Sequence, residues 1–257
     1  MNRCCFKLCA SALCGLLLAY APSQGQETAP GNEEGFAIAE VLRIAQANVR
    51  ERGGLQRLLA LNSVRVRGTL RQGEATVTLT VFKRRPNRLR VEAEARGQVT
   101  FVTYDGRTGW RWTSEADAKP QAMTGLERQL LRLQARFANS LDELDPSRVE
   151  DFRAVPRTDG EGVEFYRLRL GLPGGGYEEI FLDGETFLEQ RVDLYAMRDE
   201  MPLTTLYSDY KDIDGYQVAH RVVSTHDGET LSELVIEDVR FNLGVIPSMF
   251  APPRAQD

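Results

Sequence analysis

The chain has 257 residues, 37 acidic against 32 basic side chains, and a formal net charge of −5. This acidic balance argues against nucleic acid or an anionic membrane surface as the main partner. The length is enough for one sizeable hydrophobic core.

The start of the chain has the pattern of a secretory signal peptide. Arg3 and Lys7 form a short positive segment, and an apolar stretch over residues 8–21 follows it. That stretch is shorter than the roughly 20 residues that a membrane-spanning helix needs. We therefore expect a signal peptide over residues 1–25 and a location in the periplasm.

Two cleavage positions fit the pattern of small residues. One lies after Ala21 and the other after Gly25, and Pro22 directly after the first favours the second. Cleavage after Gly25 removes two positive charges, so that the mature chain would begin at Gln26 with a net charge of −7.

All four cysteines lie within this signal segment. The mature chain would then hold no thiol, which excludes both a disulfide framework and a cysteine nucleophile. A lipid-modified Cys14 is the alternative, but the bulky Leu13 before it is wrong for lipoprotein processing.

Residues 26–35 are polar and small and predict a linker. An amphipathic helix is predicted over 36–51, because apolar residues recur there at spacings of three and four. Its predicted apolar stripe consists of Ile38, Leu42, Ala45 and Val49. Gly53 and Gly54 interrupt the pattern, and leucines over 55–61 predict one or two further helical turns.

From Ser63 the period changes to two, which is typical of antiparallel strands with one apolar and one polar face. Alternating apolar residues define the first three strands: Val64, Val66 and Leu70; Val77, Leu79 and Val81; Leu89, Val91 and Ala93. Residues 98–104 and 109–113 continue the pattern. A second helix is predicted over 122–138, with Leu126, Leu130, Leu133 and Phe137 on one face.

A second run of strands begins near Val149. Further strands are predicted over 163–172, 177–183, 187–195, 203–211, 217–225 and 230–241, separated by Asp-Gly and Gly-rich turns. About eleven strands with one apolar face must curl to bury that face. We therefore predict a mainly β fold: an unclosed antiparallel β-barrel around a hydrophobic cavity, with the two helices as a lid.

Residues 82–112, FKRRPNRLRVEAEARGQVTFVTYDGRTGWRW, resemble the outer-membrane lipoprotein carrier family (LolA-like). The resemblance lies in the Arg-Arg-Pro-Asn strand entry, the basic and apolar strand after it, and the Asp-Gly-x-x-x-Trp turn. Residues 249–253, MFAPP, resemble that family's closing Phe-x-Pro-Pro element. FLDGETFLEQRVD and YSDYKDIDGYQVAHRV are similar to the wider lipoprotein-sorting group, so the resemblance spans about residues 55–253.

The resemblance implies a single lipid-binding domain over residues 36–257, with a helical lid over a cavity that takes up acyl chains. The implied role is a periplasmic carrier or chaperone that moves lipoproteins from an inner-membrane donor complex to an outer-membrane acceptor. Arg85 lies at the family's functional Arg. Leu89 lies where carriers often have Phe and so departs from the housekeeping carrier. The long N-terminal helix and the extra strands after residue 200 indicate a paralogous group. We expect a monomer.

Nine apolar strand residues are the candidate lipid-binding set: Leu70, Val77, Leu79, Val81, Leu89, Val91, Phe101, Trp110 and Trp112. Each of them could equally belong to an ordinary core. The two indoles at i, i+2 share one side of their strand, and on the inner face they would suit a lipid cavity. Arg85 is the candidate lid latch, through hydrogen bonds to carbonyl groups of the lid helix; the alternative is a solvated Arg at the rim.

Other function classes have weaker support. His220 and His226 have aspartates nearby in sequence, but those aspartates lie in turns, where Asp is a common residue. We expect no enzyme activity, no cofactor, no metal site and no nucleic-acid partner. Arg65, Arg67, Arg71, Arg88 and Arg90 predict either a solvated face or a docking surface for an acidic partner. A lipid-sensing regulatory domain of the same fold is the alternative function.

Overall fold

The structure is a computed structural model that describes residues 36–115, 119–137, 139–142, 144–158, 161–172 and 175–252. The predicted signal peptide and linker lie outside these residues. The chain forms two compact units. Among the described residues, unit 1 holds 59–115, 119–137 and 231–252. Unit 2 holds 36–58 and the described residues between 139 and 230.

Thirteen strands make up one antiparallel sheet. They are β1 (Ser63–Gln72), β2 (Ala75–Arg84), β3 (Arg88–Ala95), β4 (Gln98–Tyr104), β5 (Gly109–Thr113), β6 (Gln121–Met123), β7 (Val149–Pro156), β8 (Val163–Gly171), β9 (Tyr177–Asp183), β10 (Glu189–Tyr195), β11 (Leu203–Ile213), β12 (Tyr216–His226) and β13 (Glu229–Phe241). The strand order is β6-β5-β4-β3-β2-β1-β13-β12-β11-β10-β9-β8-β7, so the sheet is unclosed.

Among the described residues, three α-helices accompany the strands: α1 (Ile38–Glu51), α2 (Leu55–Ala60) and α3 (Gly125–Gln134). Short 3₁₀ turns span Pro146–Arg148 and Pro247–Phe250. Within the described part of the chain, no helix is long and apolar enough to cross a membrane.

Unit 1 contains an antiparallel meander from β1 to β6. The end of β13 pairs with β1 on the side opposite to β2. Strand β1 pairs with β2 over its whole length and with residues 233–241 of β13. The close approach to β13 requires Gly68, where a Cβ atom would lie 2.1 Å from the carbonyl oxygen of Val235. The core is one apolar sheet face against which Leu131 of α3 and the following Ala135 pack.

Unit 2 packs helix α1 against the apolar face of strands β7 to β10. The helix contributes Val41, Ile44 and Ala45, and the strands contribute Phe152, Tyr166, Leu168, Leu170, Ile180 and Leu182. Each buried side chain of this kind stabilises the fold by about 1.5–3 kcal/mol. Helix α1 is therefore held by hydrophobic burial along one stripe.

A polar network lies beside this core. Arg52 donates to the Asp142 carboxylate over 2.6 Å, and the two side chains are 17% and 5% exposed. The same carboxylate accepts from the backbone N–H of Asn139, and the Asn139 side chain donates to Glu189. Asn48 of α1, fully buried, donates to the carbonyl of Phe187 over 2.8 Å. These bonds tie the end of α1 to the loop over 139–142 and to the turn before β10.

The mainly β, antiparallel and unclosed architecture is confirmed, with thirteen strands where eleven or twelve were predicted. The missed strand is β6, which lies where the predicted second helix was expected to start; the observed helix begins at Gly125. Both predicted helices exist, and the buried stripe of α1 agrees only in part with the predicted one.

In α1 the packed residues are Val41, Ile44, Ala45, Asn48 and Val49, whereas Ile38 is exposed. Of the stripe predicted for α3, the side chains of Leu126 and Leu130 lie outside the described residues; Leu131, which was not in that stripe, is buried. Ala45 and Val49 of the predicted α1 stripe are therefore confirmed as buried, while the observed stripe is rotated towards Val41 and Ile44. Several phases of an apolar-rich helix satisfy the same spacing.

Candidate acyl-binding face

The candidate site is the apolar face of unit 1, called here the inner face. Directly paired residues share a face of a sheet, and the register aligns Val66, Val81, Val91 and Val102 across β1 to β4. A second row aligns Leu79 with Ala93. These rows make a continuous aliphatic surface several strands wide.

One part of the inner face is more open than the rest. Val91 and Val102 are 2% exposed, and Leu131 of α3 packs in the same cluster. Val66, Val81 and Leu234, on β1, β2 and β13, are only partly buried. This open part of the inner face is apolar and accessible, as a site for a hydrocarbon chain must be.

Six of the nine candidate residues lie on the inner face: Leu70, Val77, Leu79, Val81, Leu89 and Val91. The register places Phe101, Trp110 and Trp112 on the opposite face, because Phe101 pairs with Glu92 and Trp112, and Trp110 pairs with Thr103. The expectation that the indoles point to the inner face is therefore wrong.

A local reason explains the outward aromatic residues. The rings of Phe101 and Trp112 stack with centroids 5.1 Å apart. The guanidinium of Arg90 lies 4.8 Å from the Phe101 ring and 5.9 Å from the Trp112 ring, and it also donates to Glu92 over 2.6 Å. An Arg side chain covers aromatic surface with its planar group while its charge stays hydrated. Large apolar residues can thus occupy the polar face.

Lys83 is a charged residue on the inner face. It pairs with Val64 on β1 and with Leu89 on β3, so it lies in register with aliphatic side chains. Its Nζ donates to the backbone carbonyl of Arg136 over 3.3 Å. Burial lowers the pKa of the Lys83 ammonium from 10.5 to about 8, because desolvation disfavours the charged form. The alternating sequence pattern did not predict a charged residue on this face.

Arg85 lies where β2 ends and contacts two segments of unit 1. Its Nε donates to the carbonyl of Leu61 over 2.7 Å, and its guanidinium lies 4.8 Å from the ring of Phe137. Arg85 was predicted to bond to a carbonyl of the lid helix. In the structure it is Lys83, two residues earlier, that bonds to such a carbonyl, that of Arg136 just after α3. The neighbouring Arg84 holds a different segment, since it donates to the carbonyl of Val245.

The basic outer-face residues differ in their surroundings. Arg65 pairs with Asp238 over 2.5 Å, and Arg71 lies 3.7 Å from Glu233. Arg67 is exposed on the same strand. These contacts are those of a solvated face with local ion pairs.

The two histidines each face a backbone carbonyl. Nδ1 of His220 lies 2.9 Å from the carbonyl oxygen of Val218, and Nδ1 of His226 lies 3.2 Å from that of Pro202. Among the residues that the structure describes, no three His, Cys, Asp or Glu side chains are grouped so as to hold a metal ion.

No protein-family model and no curated protein matches the sequence. Solved structures do match the fold. A putative outer-membrane lipoprotein-sorting protein domain from Vibrio parahaemolyticus is 15% identical, with a TM-score of 0.52 over 84% of this chain and 97% of that chain. A LolA superfamily protein from Nitrosomonas europaea is 13% identical, with a TM-score of 0.53 over 84% and 98%.

A DUF1329 family protein from Desulfovibrio piger is 14% identical, with a TM-score of 0.54 over 83% of this chain and 96% of that chain. At these identities the likeness concerns the fold. The chain thus has the fold found in the LolA superfamily and in lipoprotein-sorting protein domains, which confirms the resemblance seen in its sequence.

Proposed function

We propose, from this LolA-like fold, that the protein is a periplasmic carrier or chaperone that binds the acyl chains of lipoproteins or other lipidated molecules. In this proposal the acyl chain occupies a hydrophobic cavity that the curved sheet forms, and the cargo moves towards the outer membrane. The observation that carries the proposal is the open part of the inner face, at Val66, Val81 and Leu234.

The energetics of such a site are adequate. Burial of about a dozen methylene groups contributes roughly 10 kcal/mol at ~0.8 kcal/mol each. The loss of ligand motion costs about 4 kcal/mol or more. The remainder of about 6 kcal/mol or less corresponds to a dissociation constant of roughly tens of micromolar or weaker without a specific polar contact, which suits a carrier that must also release its cargo.

Calorimetry with a fatty-acid series on delipidated protein tests the proposal. We expect affinity to increase with chain length and then to level off when the cavity is full. A folded protein with no saturable binding at any chain length would contradict both the carrier and the lipid-sensor functions.

Two neighbouring substitutions on β2 make the test site-specific. Val81→Gln places an amide on the open part of the inner face, and we expect it to weaken acyl binding at least tenfold because a polar group there must be desolvated. Gln is preferable to Glu because a carboxylate would face Lys83. Thr80→Gln introduces the same side chain on the opposite face and should leave affinity unchanged; equal losses in both variants would place the acyl chain elsewhere.

A transfer assay separates the carrier from a sensor. A carrier should accelerate the movement of a fluorescent acylated peptide from donor to acceptor vesicles, and Val81→Gln should abolish the acceleration. A sensor would bind the same peptide without increasing its rate of transfer.

A further inference from the structure

Unit 1 has a second concave region, on the face opposite to the inner face. It is an open pocket of about 980 Å³, lined by Pro86, Asn87, Arg88, Arg90, Asp105, Gly106, Arg107, Trp112, Pro247, Ser248, Ala251 and Pro252. Its walls are the turn between β2 and β3, the turn between β4 and β5, the outward side chains of β3 and β5, and the 3₁₀ turn near the C-terminus. We call it the arginine pocket.

The walls of the arginine pocket are fixed by contacts between these segments. The two turns touch so closely that a Cβ atom at Gly106, whose φ is +106°, would lie 2.9 Å from Oδ1 of Asn87. Arg90 donates to the carbonyl of Met249 over 2.9 Å, which attaches the C-terminal 3₁₀ turn to β3. The pocket is therefore a built feature of unit 1.

The charge of the lining is positive although the protein is acidic overall. Three guanidinium groups face one carboxylate, that of Asp105. The Asp105 carboxylate is used within its own turn, where it accepts from the backbone N–H groups of Arg107 and Thr108 over 2.8 Å each. Within the described residues it makes no ion pair with any of the three arginines.

The three arginines are not equivalent. Arg90 is engaged with Glu92, with the Met249 carbonyl and with two aromatic rings. The guanidinium groups of Arg88 and Arg107 have no hydrogen bond or ion pair with any residue that the structure describes. Two guanidinium groups without a partner among the described residues thus line one pocket, at the start of β3 and in the turn between β4 and β5, beside a third, Arg90, that its contacts hold in place.

We infer that the arginine pocket binds a phosphate group, carried either by a small phosphorylated molecule or by a lipid headgroup. Two guanidinium groups from different segments can together contact three or more oxygen atoms, which a phosphate offers and a single carboxylate does not. The lining has two net positive charges, from three arginines against Asp105, or one when Glu92 is counted with Arg90; either charge favours an anionic phosphate group. Trp112 and the prolines provide an apolar wall for the group that carries the phosphate. This site is independent of acyl binding on the inner face.

NMR signals of the arginine side chains test the inference directly. Titration of the full protein with inorganic phosphate and with glycerol phosphate should shift the NMR signals of the Nε–H groups of Arg88 and Arg107 in a saturable way. The Nε–H signal of Arg67, an exposed arginine on the same face but outside the pocket, should stay unchanged. Acetate at equal concentration should not reproduce the shifts; equal shifts with acetate would overturn the assignment to phosphate.

Substitutions give the second readout. We expect Arg88→Gln and Arg107→Gln each to weaken phosphate binding about tenfold to a hundredfold, since each removes charge-assisted hydrogen bonds. Arg67→Gln is the matched control with the same change in charge. Equal losses in all three variants would show a diffuse electrostatic effect and would overturn the site.

Vesicles identify the source of the phosphate. Binding to phosphatidylglycerol vesicles that exceeds binding of glycerol phosphate, with the same dependence on Arg88 and Arg107, would identify a lipid headgroup. Binding of the soluble phosphates alone would identify a small phosphorylated ligand. Absence of saturable binding in both arms, for the folded protein, would overturn the inference, while acyl binding measured by calorimetry would be unaffected.

Discussion

At the residue scale, Lys83 has the clearest energetic consequence. Its ammonium is held on an aliphatic face, with the Arg136 carbonyl as a hydrogen-bond acceptor. Burial lowers the pKa of a lysine when the hydration energy lost by the ammonium exceeds the energy of its contacts with protein groups. A buried ammonium of this kind lowers the free energy of unfolding at neutral pH, and its pKa depends on how dry the inner face is.

We predict that Lys83→Met stabilises the protein by about 1–3 kcal/mol at pH 7. With a pKa of about 8 in the folded protein and 10.5 as the ordinary value, the unfolded chain binds more protons between these two pH values. The free energy of unfolding should therefore rise with pH across that window in the parent protein, and the rise should be smaller in Lys83→Met. Urea unfolding over pH 7–11 measures this, with the exposed Lys211→Met as control. A destabilised Lys83→Met protein would contradict the prediction.

Arg85 supports a second prediction at this scale. Because its guanidinium lies over Phe137, we expect Arg85→Ala to accelerate amide hydrogen exchange in residues 122–138 of the ligand-free protein. Arg84→Ala is the suitable control, since Arg84 bonds to Val245. Lys83 would be a poor control because it contacts Arg136 itself. Equal acceleration in both variants would return Arg85 to the role of a solvated rim residue.

At the scale of elements, the strands were far more predictable than the orientation of their faces. Strands β4, β5 and β9 have the predicted bounds, because alternation and Asp-Gly turns locate strands directly. The outward position of Trp112 and the inward position of Lys83 were missed, since each contradicts the polarity of its own face. Only the pairing register, which depends on distant strands, decides such cases.

Helix α1 shows the same limit and leads to a prediction. Its docking depends on the buried Arg52–Asp142 pair, and Asp142 lies 90 positions away along the chain, beyond what local periodicity can indicate. We expect Asp142→Ala to destabilise the protein by about 3–5 kcal/mol, because it leaves the Arg52 charge buried without its partner. Thermal or urea unfolding measures the loss.

Two further variants interpret that loss. The double variant Arg52→Met with Asp142→Leu should recover most of the stability, since it removes both charges and fills the space with apolar atoms. Glu40→Ala removes an exposed pair with Arg43 and should cost no more than about 1 kcal/mol. A cost for Asp142→Ala as small as that for Glu40→Ala would show that the pair does not hold the helix.

At the scale of the whole molecule, the export prediction remains to be tested. We expect material recovered from the periplasm to have an intact mass that begins at Gln26 and to contain no thiol. The observation would join the fold, which resembles that of lipoprotein-sorting protein domains, to a cellular compartment. An N-terminus at a lipid-modified Cys14 would contradict it.

The pairing of β1 with β13 also determines when unit 1 can fold. Ser63 at the start of β1 bonds to the carbonyl of Leu243, 180 positions later. Contacts of such high contact order form late and slowly, because a long loop must close before they contribute any stability. Until residues 233–241 have been synthesised, β1 has an unpaired edge and unit 1 is incomplete. Unit 1 can therefore complete its fold only after most of the chain has been synthesised, which is compatible with the predicted export of an unfolded chain.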